Sequence, residues 1–252
     1  MSNEKKDSVN RKSKQSKKQK VIFSLYIYAF IFVFISIIYF LSPLSYVSKV
    51  TVNGNENVSS EEIIDLSEIT NETRYWSKDF EEKAEMIKKN IKEIAKVEIK
   101  RNFINDVQIN VQEYKRVAFM LKDHKGYPVL SNGTVLSREG QGNVGDLPLL
   151  LNWVEGEELK GMARELANTS KDGLEMISEI YYSPTDINPL HISVYMTDGY
   201  EVSGTIPGFS SKISEYPSVS AKIPEGVKGV IDIEVGYVLK PYDESSEPSG
   251  KE

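Results

Sequence analysis

Residues 46–66 read YVSKVTVNGNENVSSEEIIDL, and this stretch decides how the rest of the chain is read. Tyr46 to Val52 alternates as a strand does, and Asn53-Gly54 ends it with a turn. Ser59 then stands three residues before Glu62, the spacing with which a hydroxyl caps the first turn of a helix, and Ile63, Ile64 and Leu66 give that helix its apolar side. Downstream, Phe80, Ala84, Ile87, Ile91 and Ile94 recur at alternating steps of four and three from a start at Asp79, which predicts a second helix with Lys and Glu on its other face. Val97 to Lys100 and Val107 to Val111 read as strands, the latter with Val107, Ile109 and Val111 inward and Gln108, Asn110 and Gln112 outward. The expected order is strand, helix, helix, strand, strand.

Working toward the N-terminus, Val21 to Leu41 holds 21 residues without Asp, Glu, Lys, Arg or His. As a helix it spans about 31 Å at ~1.5 Å per residue, enough for a bilayer. A cleaved signal peptide would have an apolar core of only about 7 to 15 residues and a small-residue cleavage site, which Ser42-Pro43-Leu44-Ser45 does not supply. Residues 1–20 carry eight Lys and Arg against Glu4 and Asp7, and cations on that side place the tail in the cytoplasm. Tyr39 and Tyr46 suit the opposite interface. With the whole chain at −6, the tail's +6 leaves −12 on everything after it, a charge that repels nucleic acid. The chain has no cysteine, which makes a disulfide-stapled eukaryotic ectodomain a poor fit and a bacterial surface an easier one. Four Asn-x-Ser/Thr sequons, at Asn57, Asn71, Asn132 and Asn168, are expected by chance in so Asn- and Ser-rich a sequence.

The style changes near Ala118. Val129 to Leu136 reads as a hairpin around Asn132-Gly133, a pair suited to a type I′ turn, and a second hairpin is predicted at Asp198-Gly199 between strands 191–196 and 200–206. Between them residues 157–180 read as helical, with Leu159, Met162, Leu166, Leu174, Ile177 and Ile180 apolar and an interruption at Asp172-Gly173. Phe209 to Ile223 is a further predicted helix, kinked at Pro217, and Gly229 to Leu239 a last strand. Residues 243–252 read as a disordered acidic tail.

Motifs of catalysis are weak. Gly140, Gly142 and Gly145 match a dinucleotide fingerprint in letters, but Asp146-Leu147-Pro148 follows where a phosphate-binding helix should start, so the segment reads as a loop. His124 and His191 lie 67 positions apart without metal-ligand spacing; the first reads as a turn residue, the second as the start of a strand. The one Ser-x-x-Lys spacing, Ser2 to Lys5, is in the basic tail, and no G-x-S-x-G occurs. Acids fall mainly at helix starts and on helix faces, as a solvated surface requires, although a carboxylate pair is never excluded by one sequence. Trp153 reads as core, and so by default does Trp76, whose place between the two early helices also suits contact with a partner.

Several ordered segments together resemble the DivIB/FtsQ family of bacterial cell-division proteins. They are Tyr46 to Asn55 leading into Val58 to Ile63, Asn102 to Val107 and Val111 to Ala118, similar to the family's POTRA domain, then Asp146 to Leu150, Glu215 to Ser218 and Gly229 to Gly236, similar to its larger β domain. The expectation is an α+β chain: a cytoplasmic tail (1–20), a transmembrane helix (21–41), a β-α-α-β-β POTRA domain (45–117), a second α+β domain with a mostly antiparallel sheet (118–242) and the tail (243–252). The resemblance implies a non-enzymatic scaffold of the septal membrane that binds the ectodomains of FtsL and DivIC, the FtsB counterpart, and helps control septal peptidoglycan synthesis. It implies no cofactor, metal, nucleic acid or small-molecule substrate. In the family a strand edge at the end of the β domain meets the partner, which here points to Val230, Asp232, Glu234, Val235, Gly236 and Tyr237, with Asp232, Glu234 and Tyr237 selecting it by charge and aromatic contact. The alternatives are an extracytoplasmic cell-wall hydrolase, a POTRA-bearing transport component, for which no barrel-forming segment is found, and a sensor, for which the short tail leaves no output domain.

Overall fold

The computed structural model describes residues 3–102, 105–137, 147–224 and 226–242, with side chains from Ile22 onward. The basic side chains of the tail, Phe103-Ile104, the Gly140/Gly142/Gly145 segment with Asp146, and residues 243–252 lie outside them. The chain forms two units, one of residues 1–91 and 96–112, the other of residues 92–95 and 113–252.

In the first unit, α1 (Asn3–Leu41) contains an apolar span, Ile22–Leu41, of mean hydropathy 2.4 with none of it buried. Among the described residues none covers these side chains, and by length and composition the span is able to cross a membrane. A single 3-10 turn (Pro43–Ser45) leads to β1 (Lys49–Asn53), α2 (Ser60–Ser67), α3 (Phe80–Asn90), β2 (Ile94–Asn102) and β3 (Asp106–Glu113), in the sheet order β1-β3-β2. The predicted strand–helix–helix–strand–strand order is the one observed. β1 and β3 run parallel, Val50 opposite Val107 and Val52 opposite Ile109, and a parallel pair needs a long crossover, here carrying both helices. Ser59 caps α2, its hydroxyl accepting from the Glu62 N–H at 3.1 Å. Val107, Ile109 and Val111 are buried, as their alternation requires, against Ile63 and Ile87.

The second predicted helix is cut short. Ile91 is its extended C-cap, with its N–H on the Ile87 carbonyl at 3.0 Å, and Ile94 already begins β2. Both remain buried, so the three-residue spacing survived although the backbone had changed.

The second unit is one eight-stranded sheet with helices on one face. Its elements are β4 (Arg116–Lys122), β5 (Lys125–Leu130), β6 (Leu149–Leu151), α4 (Glu157–Asn168), α5 (Lys171–Glu175), β7 (Ile177–Tyr182), β8 (His191–Met196), β9 (Glu201–Thr205), α6 (Phe209–Ser220), β10 (Gly229–Asp232) and β11 (Val238–Pro241). The order across the sheet is β11-β10-β9-β8-β7-β6-β4-β5. The pairs β10/β11, β4/β5, β7/β8 and β8/β9 are antiparallel, and β4/β6, β6/β7 and β9/β10 parallel. Leu159, Met162 and Leu166 of α4 and Phe209, Ile213 and Tyr216 of α6 join Met120, Leu150, Ile180, Val194, Val202 and Ile231 in one core. Trp153 is buried there, its indole N–H on the Ile180 carbonyl at 3.0 Å.

Three readings are corrected here. Ile177 and Ile180 belong to β7, not to a helix. A register shift between Ile177 and Glu179 puts an extra residue in the strand, so two residues three apart are both buried and imitate helical spacing. At Asn132-Gly133 only Gly133 has positive φ (+83°), with its N–H on the Leu130 carbonyl at 2.8 Å; the loop is therefore not type I′ but a turn closed by a left-handed glycine. Its two arms meet in one isolated bridge, Val129 with Val135, rather than in a ladder. The predicted strand Gly229–Leu239 is two strands, β10 and β11, with a turn between them.

In α6, Pro217 offers no N–H to the Ile213 carbonyl one turn back. That face of α6 closes on α5 at Gly173, where a Cβ would stand 2.6 Å from the Ile213 carbonyl oxygen.

Candidate partner-binding site

An eight-stranded open sheet has two edges, and the chain treats them differently. At the Pro128–Leu130 end of β5, residues 134–136 lie over the outer edge: the Leu130 N–H reaches the Thr134 carbonyl and the Leu136 N–H the Pro128 carbonyl, both at 2.9 Å. At the other end, among the described residues no strand pairs with the far side of β11. The sheet thus presents one row of main-chain donors and acceptors able to take an added strand.

The residues singled out in the sequence surround this edge without forming it. Val230 and Asp232 are in β10, which is internal, between β9 and β11. Glu234, Val235, Gly236 and Tyr237 make up the turn that joins β10 to β11. Val235 projects from it, 99% exposed, and Val238 at the start of β11 is 54% exposed. The edge itself is Val238 to Pro241, of which only Val238 and Leu239 fell at or within the predicted strand and none among the named site residues.

The turn is held from below. Lys212 on α6 donates from Nζ to the Glu234 carbonyl at 2.6 Å and to the Ile233 carbonyl, so one ammonium satisfies two carbonyls that no strand can reach. The Tyr237 hydroxyl donates to the Lys212 carbonyl at 2.6 Å, and Asn188 Nδ2 donates to Glu234 Oε1 at 2.7 Å. Ile233 is buried beneath. Across the strand pair, Lys240 Nζ meets Asp232 Oδ2 at 2.8 Å, and this hydrogen bond, with the Glu234 N–H also donated to Asp232, holds the Asp232 carboxyl below its usual range. Asp232 and Glu234 are therefore engaged within the chain. Lys212 was missed because its partners are 21 and 22 residues away, and no local pattern encodes that distance.

Burial first, and the Glu215 carboxylate beside it second, raise the Tyr237 phenol from 10.0 to about 12. A raised phenol means that folding favours the neutral form. The contribution is whole below the ordinary phenol value and is lost as pH climbs through the folded one. We expect the turn to stay docked until pH passes 10.0 and to loosen toward about 12. Tyrosinate absorbance against pH tests this: Tyr237→Phe should remove one late-ionising phenol, and an unchanged titration would contradict the assignment.

His124 lies in a turn with φ +61°, as expected, and His191 opens β8 with its ring nitrogens on Ser183 and Ser203 at 2.9 to 3.0 Å. Among the described residues no three His, Asp or Glu side chains gather as a metal site would require. Glu61, Glu62, Glu81, Glu82, Glu157 and Glu158 occupy first turns of α2, α3 and α4, where the helix dipole favours them.

Comparison with known proteins agrees with this architecture. The family model "POTRA domain, FtsQ-type" matches residues 45–114, and "Cell division protein FtsQ/DivIB, C-terminal" matches residues 118–234. Cell division protein DivIB of Bacillus subtilis (strain 168) is 37% identical over 204 residues, covering 81% of this chain and 77% of that protein. The DivIB protein of Bacillus anthracis is 34% identical over 232 residues, covering 91% of this chain and 87% of that one. The solved structure of the major extracytoplasmic domain of the trans isomer of DivIB from Geobacillus stearothermophilus shares 36% sequence identity, covers 46% of this chain and 99% of that one, and has a TM-score of 0.40. With both units matched in order behind an N-terminal transmembrane helix, the chain belongs to the DivIB/FtsQ family of bacterial cell-division proteins.

Proposed function

We propose that this protein is a non-catalytic scaffold of the division septum whose β11 edge receives a strand from the ectodomain of FtsL or DivIC, and which thereby helps control septal peptidoglycan synthesis. In this reading residues 1–20 are cytoplasmic and both folded units are extracytoplasmic. The observation that carries it is the asymmetry of the sheet: the Pro128–Leu130 half of β5 is covered by residues 134–136, while among the described residues β11 is open along its length. Added main-chain hydrogen bonds supply affinity on such an edge, and side chains around it supply choice. Val235 and Val238 give apolar contact.

The test uses the close approach of the last two strands. A Cβ at Gly229 would stand 2.3 Å from the Lys240 carbonyl oxygen and 2.8 Å from the Pro241 Cα, backbone atoms that cannot step aside. Gly229→Ala should therefore lift β11 from β10 and abolish capture of FtsL and DivIC by the full chain. A chain ending before Val238 should lose the same capture while remaining in the membrane. Undiminished capture by both variants rejects β11 as the site. Incubation with peptidoglycan should release no soluble fragments; released fragments would mark a hydrolase instead.

A further inference from the structure

The sequence reads Trp76 as core by default with surface contact to a partner as the alternative, and the structure leaves it 58% exposed while its neighbour Tyr75 is buried. A large exposed indole in a loop calls for a cover, and its position says which. The loop between α2 and α3 is stitched to the exit of the transmembrane helix: the Tyr75 N–H donates to the Ser45 carbonyl and the Val47 N–H to the Thr73 carbonyl, both at 2.9 Å, and Tyr46 bridges Arg74. From there the indole N–H of Trp76 reaches back to the Tyr39 hydroxyl at 2.9 Å. Tyr39 stands two residues before Leu41, the end of the apolar span, so at ~1.5 Å per residue its backbone lies about 3 Å short of that end, and the indole is tied to its side chain.

The surroundings extend the same surface. Phe40, Leu41 and Leu44, at and just beyond the end of the span, are each more than half exposed, as Trp76 is. The Arg74 guanidinium, 5.6 Å from the Tyr46 ring centroid, adds a cation two residues from Trp76. An indole and a phenol, each with an apolar body and one polar atom, flanked by a cation, match the boundary between acyl chains and phosphates.

We propose that Trp76 is seated in the lipid headgroup layer, with Tyr39 and Leu44, so that the α2–α3 loop fastens the first unit to the membrane surface as a second point of attachment beyond the helix itself. This fixes how that unit stands on the bilayer, independently of which partner the β11 edge takes.

The chain has two tryptophans, which makes the site directly readable. The full-length protein is placed in vesicles of phosphatidylcholine and phosphatidylglycerol, and indole emission is followed with lipid brominated near the headgroup end of its acyl chains and with aqueous iodide. Because Trp153 is buried, the wild-type spectrum minus that of Trp76→Phe reports Trp76 alone without disturbing the second unit. That difference should be blue-shifted, quenched by the brominated lipid and nearly indifferent to iodide. A difference quenched by iodide and untouched by bromine overturns the proposal, since Trp76 would then face water. A difference insensitive to both also overturns it, since a protein contact would then be covering the ring.

Discussion

Gly54→Ala is expected to lower the melting transition of the first unit strongly while the second keeps its own transition. Gly54 ends β1 with φ +85°, and a Cβ there would lie 2.2 Å from the Val111 carbonyl oxygen in β3. The left-handed backbone alone costs an L-residue roughly 1–2 kcal/mol, and overpacking against a backbone atom adds about 1–3 kcal/mol. For a folded unit of roughly 70 residues, roughly 0.05–0.15 kcal/mol per residue is about 3–10 kcal/mol, of which a sum of about 2–5 kcal/mol removes a large part. Because β1 and β3 are paired in parallel across the whole two-helix crossover, no local rearrangement relieves the clash without losing that pairing. Calorimetry of the detergent-solubilised protein, or limited proteolysis scored for cleavage within 46–113, checks the effect; a wild-type profile would show that Gly54 is not a point of close approach.

Phe209→Ala is the counterpart in the second unit. Phe209 opens α6 with 1% of its surface exposed, in the core that joins α4 and α6 to the sheet. Truncating a buried phenylalanine to alanine costs about 3–5 kcal/mol through lost burial and the cavity left behind. Its consequence is wider than stability, because α6 also carries Lys212, which holds the turn before β11. Loss of partner capture should therefore follow the melting curve of the unit. Capture that persists above the new midpoint would separate the site from α6.

Much of the fold was legible because its signals are local. Ser59 with Glu62, and the alternation of Val107, Ile109 and Val111, are decided within a few residues, and the structure repeats them. The misreadings arose where a local spacing has two backbone solutions. Ile177 and Ile180 are equally well spaced for a helix face and for a bulged strand, and only pairing with β8 selects the second. Ile91 and Ile94 stay buried across a helix end for the same reason. The site was less legible than the fold. That β10 is internal depends on its parallel pairing with β9, made through the α6 crossover, and that the edge is β11 depends on the turn at 233–237. A segment named as a whole was close to the edge, but which of its residues face outward is a property of the sheet.

The covered β5 and the open β11 carry one more consequence, for how assemblies grow. Strand addition can run on indefinitely only if each sheet has both a giving and a receiving margin, the condition for fibres. Here the Pro128–Leu130 part of β5 is overlaid by residues 134–136 while, among the described residues, β11 is unpaired, so stacking copies of this sheet β5 against β11 would first have to displace that overlay. Such an arrangement works against open-ended growth from copies of this chain alone.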